Sequence, residues 1–298
     1  MLTSHLPTEY TVKYKGGRYM NSYAYYNGRF DKREEIFIPL SDRSIFFGDA
    51  VYDAMIGSYD RIMWEDEHID RLLENAEKIG IKHSYTKRFL SDLLREIGVR
   101  SMIDTYLLYV QISRDYSSRR HSAVGCSANL LVTVEPITIE KHPKPMKLIT
   151  FPDKRYGYCD VKTVNLLPAV LSATVAENEA YDEAVFIKDG TVTECTKSNI
   201  SVLKQGRLIT HPKTEHILPG IVRAHLLEAC KHLGIPFEER KFTKQDLLSA
   251  DEILVTSTTK LCKTVNHIDN CPTGSKDPQK AKLLCDFLYS EFEKNCKI

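Results

Sequence analysis

The sequence predicts an α/β protein, α+β in its division into two domains. Three observations carry that prediction. Segments of helical and of strand periodicity succeed one another along the chain. The 298 residues exceed the ~100–200 typical of one domain. The stretch ITIEKHPKPM, residues 137–146, holds two prolines and mixed charge between apolar segments, as a linker does. We expect a small N-terminal α/β domain over 1–138, a linker over 139–146, and a larger C-terminal mixed-sheet domain over 147–298.

The N-terminal elements follow from local chemistry. In YAYYNGRF, Asn27-Gly28 is a hairpin turn between strand-like flanks. EDEHIDRLLENAEKIGI reads as a helix. Its first turn is acidic, Ile69, Leu72, Leu73, Ala76 and Ile79 form an apolar stripe, and Gly80 suits its end. A second helix is expected over 85–97, ended by Gly98. TYLLYVQISR and ANLLVTVEPI are rich in β-branched and apolar residues and read as strands.

Beyond the linker come the strand KLITF and a helix after Pro168. Two hairpins follow, turning at Asp189-Gly190 and Gln205-Gly206. GIVRAHLLEACKHLGI is an amphipathic helix, DEILVTSTT a strand ending in hydroxyls, and DPQKAKLLCDFLYSEFEKNC a closing helix.

Composition narrows the function. With 41 basic and 40 acidic residues the net charge is +1, which speaks against a nucleic-acid or membrane-surface partner. The start MLTSHLPTEY has no secretion-signal pattern, and no apolar run nears the ~20 residues of a membrane helix, so a cytoplasmic protein is expected. None of the eight cysteines is spaced as CxxC, and no metal site is expected. G-x-x-x-x-G-K, G-x-G-x-x-G and H-E-x-x-H are all absent.

The most informative stretch is YCDVKTVNLLPAV. Lys162 stands among Cys159, Val161, Val164, Leu166 and Leu167. Such neighbours disfavour the charged ammonium, and a neutral amine can attack an aldehyde. Pyridoxal 5′-phosphate fits that chemistry, but it needs partners: an acid for the pyridine nitrogen and donors for the phosphate. Glu194 supplies an acid, Arg71 a cation, Gly220 the start of a helix, and TSTT hydroxyls at a strand end. Each has an ordinary reading as a surface or turn residue, and Lys162 alone is more often simply half-buried. Their joint presence is what carries weight.

These residues lie in FGDAVYDAM, EHIDRLLENAEKI, CDVKTVNLL, DEAVFIKDGTVTECTKSNI, THPKTEHILPGIVR and ILVTSTT, in that order. On them the chain resembles the fold-type IV pyridoxal phosphate enzymes from about Tyr23 to about Phe292. The resemblance implies that Lys162 is the Schiff-base lysine and proton carrier and that Glu194 pairs with the pyridine nitrogen. It implies that Arg71, the N–H groups of Ile221 and Val222, Ser257 and Thr258 hold the phosphate, and that Leu218 packs on the ring. It also implies a homodimer. Two departures stand out: Val222, where many relatives carry a hydroxyl, and Lys197, where many carry a small residue. The Lys197 ammonium either compensates charge near the phosphate or, the reading we favour, points to solvent.

Within the family the substrate carboxylate decides. ISRDYSSRRHSA follows a strand and carries Arg119 and His121. That arrangement is similar to the carboxylate trap of D-amino acid aminotransferases, where the loop comes from the partner subunit and Arg119 would form a bidentate pair. Tyr52 would add a hydroxyl, and Arg120 is expected to face away. Branched-chain L-amino acid aminotransferases carry Tyr-x-Arg on the preceding strand, whereas this chain has Tyr109-Val110-Gln111. The expected reaction is transamination between a D-amino acid such as D-alanine and a 2-oxo acid such as 2-oxoglutarate. A branched-chain L-amino acid aminotransferase, an aminodeoxychorismate lyase and a binding protein on the same fold remain alternatives.

Overall fold

The computed structural model describes residues 22–115 and 119–296. The N-terminal stretch 1–10 and residues 116–118 of the Arg119 loop lie outside the described residues.

The first sheet is six-stranded and antiparallel. It comprises β1 (Tyr23–Tyr26), β2 (Arg29–Lys32), β3 (Ala50–Ser58), β4 (Arg61–Ile62), β5 (Tyr106–Arg114) and β6 (Ala128–Pro136), ordered β2-β1-β6-β5-β3-β4. The short helix α1 (Arg43–Phe47) leads into β3, and α2 (Glu65–Lys78) and α3 (Lys87–Ser101) pack beside the sheet. Ile69 and Leu72 of α2, with Leu90 and Leu94 of α3, meet Val51, Met55, Leu108, Val110 and Val132 in one core.

The second sheet is mixed. It comprises β7 (Met146–Pro152), β8 (Glu183–Lys188), β9 (Thr191–Cys195), β10 (Asn199–Lys204), β11 (Arg207–Thr210), β12 (Phe237–Glu239), β13 (Glu252–Ser257), β14 (Leu261–Ile268) and β15 (Cys271–Pro272). The order is β12-β11-β10-β13-β14-β7-β8-β9, with β15 on β14. β7 runs parallel to both β14 and β8. Its helices are α4 (Leu167–Asn178), α5 (Ile221–His232), α6 (Lys244–Ser249) and α7 (Pro278–Cys296). One core joins α5 and α7 to Leu254 and Cys262, and it takes in Ile56 from β3 and Met63 just past β4. The two sheets therefore share apolar contact.

Turn chemistry accounts for the hairpins: Asn27, Asp189 and Gln205 all have positive φ ahead of a glycine that does too. Gly98 departs from expectation. The helix runs through it to Ser101 and ends at Met102 in the left-handed region. Gly98 serves close packing instead: a Cβ there would lie 2.1 Å from the Tyr106 hydroxyl and 2.7 Å from the Tyr59 carbonyl oxygen. Tyr106 is fully buried and donates to that same carbonyl at 2.6 Å.

Among the described residues no helix is long and apolar enough to cross a membrane, no group of His, Cys, Asp and Glu could hold a metal, and the cysteines are free.

Gly98→Ala should cost about 1–3 kcal/mol by overpacking, read from urea unfolding. Unchanged stability would mean that Tyr106 has room to move.

Candidate active site

A cavity of about 880 Å³ opens where the two sheets meet. The segment around Lys162 reaches it by pairing with β3. Tyr52 N–H donates to the Lys162 carbonyl at 2.9 Å, Val164 N–H donates to the Ala50 carbonyl at 3.2 Å, and Val51 bridges Thr163. The lysine is thus held on a strip that runs along β3 of the other sheet. Its surroundings differ from the expected ones. Val161 is buried, but Leu166 and Leu167 are largely exposed, Leu166 at the cavity wall. The apolar cover comes from Tyr52, whose ring centroid lies 4.4 Å from Lys162 Nζ and which stacks on Tyr109 at 5.1 Å.

Glu194 lies at the end of β9, nearly fully buried. Its carboxylate accepts from Arg155 Nη1, from Asn199 Nδ2 at 2.9 Å and from the Leu218 N–H at 3.1 Å. Burial pushes the carboxyl up to about 7, against the opposing pull of Arg155, the Leu218 N–H and Lys162. A carboxyl so tuned can share a proton with a ring nitrogen. Arg155 is itself held by Asp153, through Nε at 2.9 Å and Nη2 at 2.7 Å, and by the His216 carbonyl at 2.9 Å.

Arg71 emerges from α2. It donates to Asp53 through Nε at 2.7 Å and Nη2 at 2.8 Å, and through Nη1 to the Pro219 carbonyl at 3.2 Å. Asp53 is fully buried on β3 and also meets His68 Nδ1 at 2.7 Å. Burial opposes its charge, but Arg71 and His68 outweigh that and hold the carboxyl well below the usual carboxylate range. Burial lowers His68, so the ring resists protonation.

Pro219 leads to Gly220, the N-cap of α5, which has no side-chain cap. The N–H groups of the first turn, among them Ile221 and Val222, lack partners within the helix. Beside them are Thr256 Oγ1 and Ser257 Oγ, both buried and without a hydrogen-bond partner among the described residues, and Thr258. Uncapped amides, orphaned hydroxyls and a guanidinium suit a phosphate ester, with the Lys162 amine and the Glu194 acid beyond it. The donor set therefore fits pyridoxal phosphate. Gly220 is required here, because a Cβ would lie 2.0 Å from Asn199 Oδ1. Val222 is buried in the core shared by α5 and α7.

Other residues stand at the rim. His121 lines the cavity, while Arg119 lies outside it, 5.9 and 5.7 Å from the ring centroids of Phe46 and Phe47. Arg120 is exposed and does not line the cavity. Lys197 lines it with an exposed side chain. Its backbone N–H goes to Glu183 at 2.8 Å, while the other carboxylate oxygen of Glu183 accepts from Lys260 and Ser198.

Arg155, Asp53, His68 and Asn199 carry no role in the sequence reading above. The available signal was electrostatic: a buried glutamate in an apolar hairpin needs a cation, and a strand with an inward aspartate needs one too.

The family model for amino-transferase class IV matches residues 50–268. The chain belongs to the class IV aminotransferases. Its cofactor is accordingly pyridoxal 5′-phosphate, and its fold is fold type IV. A D-alanine aminotransferase from Bacillus licheniformis is 38% identical over 258 residues, covering 85% of this chain and 90% of the relative. The branched-chain aminotransferase of Thermoproteus uzoniensis superposes with a TM-score of 0.83 at 22% identity, covering 92% of this chain and 96% of that one. The branched-chain amino acid aminotransferase of Thermobaculum terrenum, solved in its PLP form, gives 0.80 at 19%, covering 90% and 92%. At those identities the solved structures speak to fold alone.

Two predictions follow from this geometry. Asp53→Asn leaves Arg71 without its counter-charge, so folding stability should fall by about 3–5 kcal/mol and pyridoxal phosphate affinity at least tenfold, read by urea unfolding and absorbance titration. Retained affinity would free Arg71 from the phosphate assignment. The second concerns Glu194. Its folded pKa of about 7 lies above the ordinary 4.5, so its contribution to stability is complete below about 4.5 and is lost as pH rises through about 7. In cofactor-free protein, the stability of wild type relative to Glu194→Gln should therefore decline between pH 5 and 8. A pH-independent difference would contradict it.

Proposed function

We propose that this aminotransferase exchanges amino groups between a D-amino acid, such as D-alanine, and a 2-oxo acid, such as 2-oxoglutarate. The observation that carries the reading is the turn Arg119–His121 beside the cavity, combined with Gln111 where the branched-chain pattern has arginine. The D-alanine aminotransferase relatives support it.

When bound, pyridoxal phosphate supplies an aldehyde for amines and a ring that accepts electrons from Cα. Lys162 Nζ is the group that takes the proton from the substrate Cα and later returns one, as a positioned base and then acid. Glu194 keeps a proton on the pyridine nitrogen, oriented by Arg155, Asn199 and the Leu218 N–H, and Leu218 packs on the ring. Arg71, Ser257, Thr258 and the amides of Ile221 and Val222 bind the phosphate. Arg119 and His121 bind the substrate carboxylate, with Tyr52 on the same side. Lys197 points to solvent in this reading.

The two sheets mark the proposed domains, joined across 139–146. The proposed assembly is a homodimer, and the proposed location is the cytoplasm. Leu167, Val170, Leu171 and Val175 expose apolar surface along α4, continuous with Leu166 and Ala169 at the cavity wall. Such a patch suits a second copy.

The half-reaction of cofactor-loaded protein with D-alanine should convert the cofactor to its amine form, and L-leucine should not. Conversion by L-leucine alone would establish the branched-chain alternative; no conversion by either would favour the lyase. Mixing Lys162→Ala with Arg119→Ala protomers tests the shared site. If the trap acts across the interface, re-associated protein recovers about a quarter of wild-type activity, because half the dimers are mixed and each holds one intact site. No recovery means that the loop serves its own chain.

A further inference from the structure

We propose that Arg43 is a positioning residue for carboxylate recognition: its buried guanidinium fixes the turn that carries Arg119 and His121. The inference rests on the reading of that turn as the carboxylate site.

The contacts converge on one side chain. Arg43 Nη1 donates to the Arg120 carbonyl at 2.6 Å and Nη2 to the His121 carbonyl at 2.9 Å. Nε donates to Asp49 Oδ2 at 2.8 Å. Two successive carbonyls turned onto one rigid fork set the peptide planes on both sides of His121. A lysine, with a single nitrogen on a flexible stem, cannot hold this arrangement. The same guanidinium lies 4.4 Å from the Phe47 ring centroid, and Phe47 meets the His121 ring edge-on at 5.6 Å.

The platform is anchored from behind. Asp42 caps α1 by accepting from the Ser44 N–H at 2.8 Å, and it also accepts from Ser113 at 2.7 Å and Asn129 at 2.8 Å. Asp49 takes a second arginine, Arg114, through Oδ1 at 2.8 Å. Arg114 stands where β5 enters the loop and donates onward to the Gly80 carbonyl at 2.6 Å, just past α2. Asp49 thereby ties the entrance of the loop, through Arg114, to its functional turn, through Arg43. Arg119 and His121 are themselves exposed, and the ring contacts they make are to Phe46 and Phe47 of the same platform. Their aim depends on the backbone beneath them.

The test uses the holoenzyme and two substrates of similar size, D-alanine and the carboxylate-free amine (R)-2-aminopropan-1-ol. In Arg43→Lys and Arg43→Gln, KM for D-alanine should rise roughly 10–100-fold, the cost of an ångström-scale misplacement. The half-reaction rate with the amino alcohol and the cofactor absorbance should hold. Arg119→Ala should show the same split. Asp49→Asn perturbs the guanidinium from its other side and carries the test with Arg43→Lys should Arg43→Gln not fold. Equal loss on both substrates, or no loss on either, with Arg119→Ala still selective for the carboxylate, overturns the role of Arg43 alone. Absence of the split in Arg119→Ala overturns the carboxylate reading, and this proposal with it.

Discussion

The ion pair between Asp53 and Arg71 holds this site in register. Asp53 is fully buried on β3, where an unpaired carboxylate would be strongly destabilising. Two parallel hydrogen bonds to Arg71 and one to His68 compensate it and fasten α2 to β3. Arg71 then reaches the Pro219 carbonyl, immediately before α5, and so ties α2 to the start of the proposed phosphate site. The same strand receives the Lys162 segment on its neighbouring residues Ala50, Val51 and Tyr52. One buried charge thus sets the spacing between the candidate nucleophile and the anion cup.

The opposite wall has its own electrostatic centre. Glu194 is buried, which favours protonation, while Arg155 and backbone donors favour the carboxylate. The balance leaves the carboxyl at about 7, suited to the proposed pairing with a ring nitrogen. Asn199 connects this wall to the cup: it donates to Glu194 and to the Leu218 carbonyl, and its side chain occupies the space that only a glycine at position 220 leaves free. The proposed ring and phosphate sites are therefore mechanically joined through Asn199.

Much of this was legible beforehand, and the exceptions have physical causes. The hairpins at Asn27-Gly28, Asp189-Gly190 and Gln205-Gly206 were readable because positive φ restricts residue choice. Lys162, Glu194 and Arg71 were readable through a motif order in which each needs the others. β3 was not, because Asp53 interrupts its apolar run and only its partners on α2 explain a charge there. Gly98 misled because a glycine near a helix end looks like a stop, when it makes room for Tyr106 from a distant strand. Arg155 has no local signature; its reason is Glu194, far along the chain. Lys162 drew attention for its apolar sequence neighbours, yet its cover is Tyr52. Local periodicity reports elements, whereas charge pairing between distant segments builds the site.

The central claim is that Lys162 is the lysine that holds the cofactor. Borohydride reduction of the pyridoxal phosphate-loaded protein, followed by peptide mass spectrometry, tests it directly. The account predicts a reduced pyridoxyl adduct on Lys162, at close to one per chain, and none on Lys78 or Lys197, which also line the cavity. An adduct on either of those lysines, or its persistence in Lys162→Ala, would contradict it.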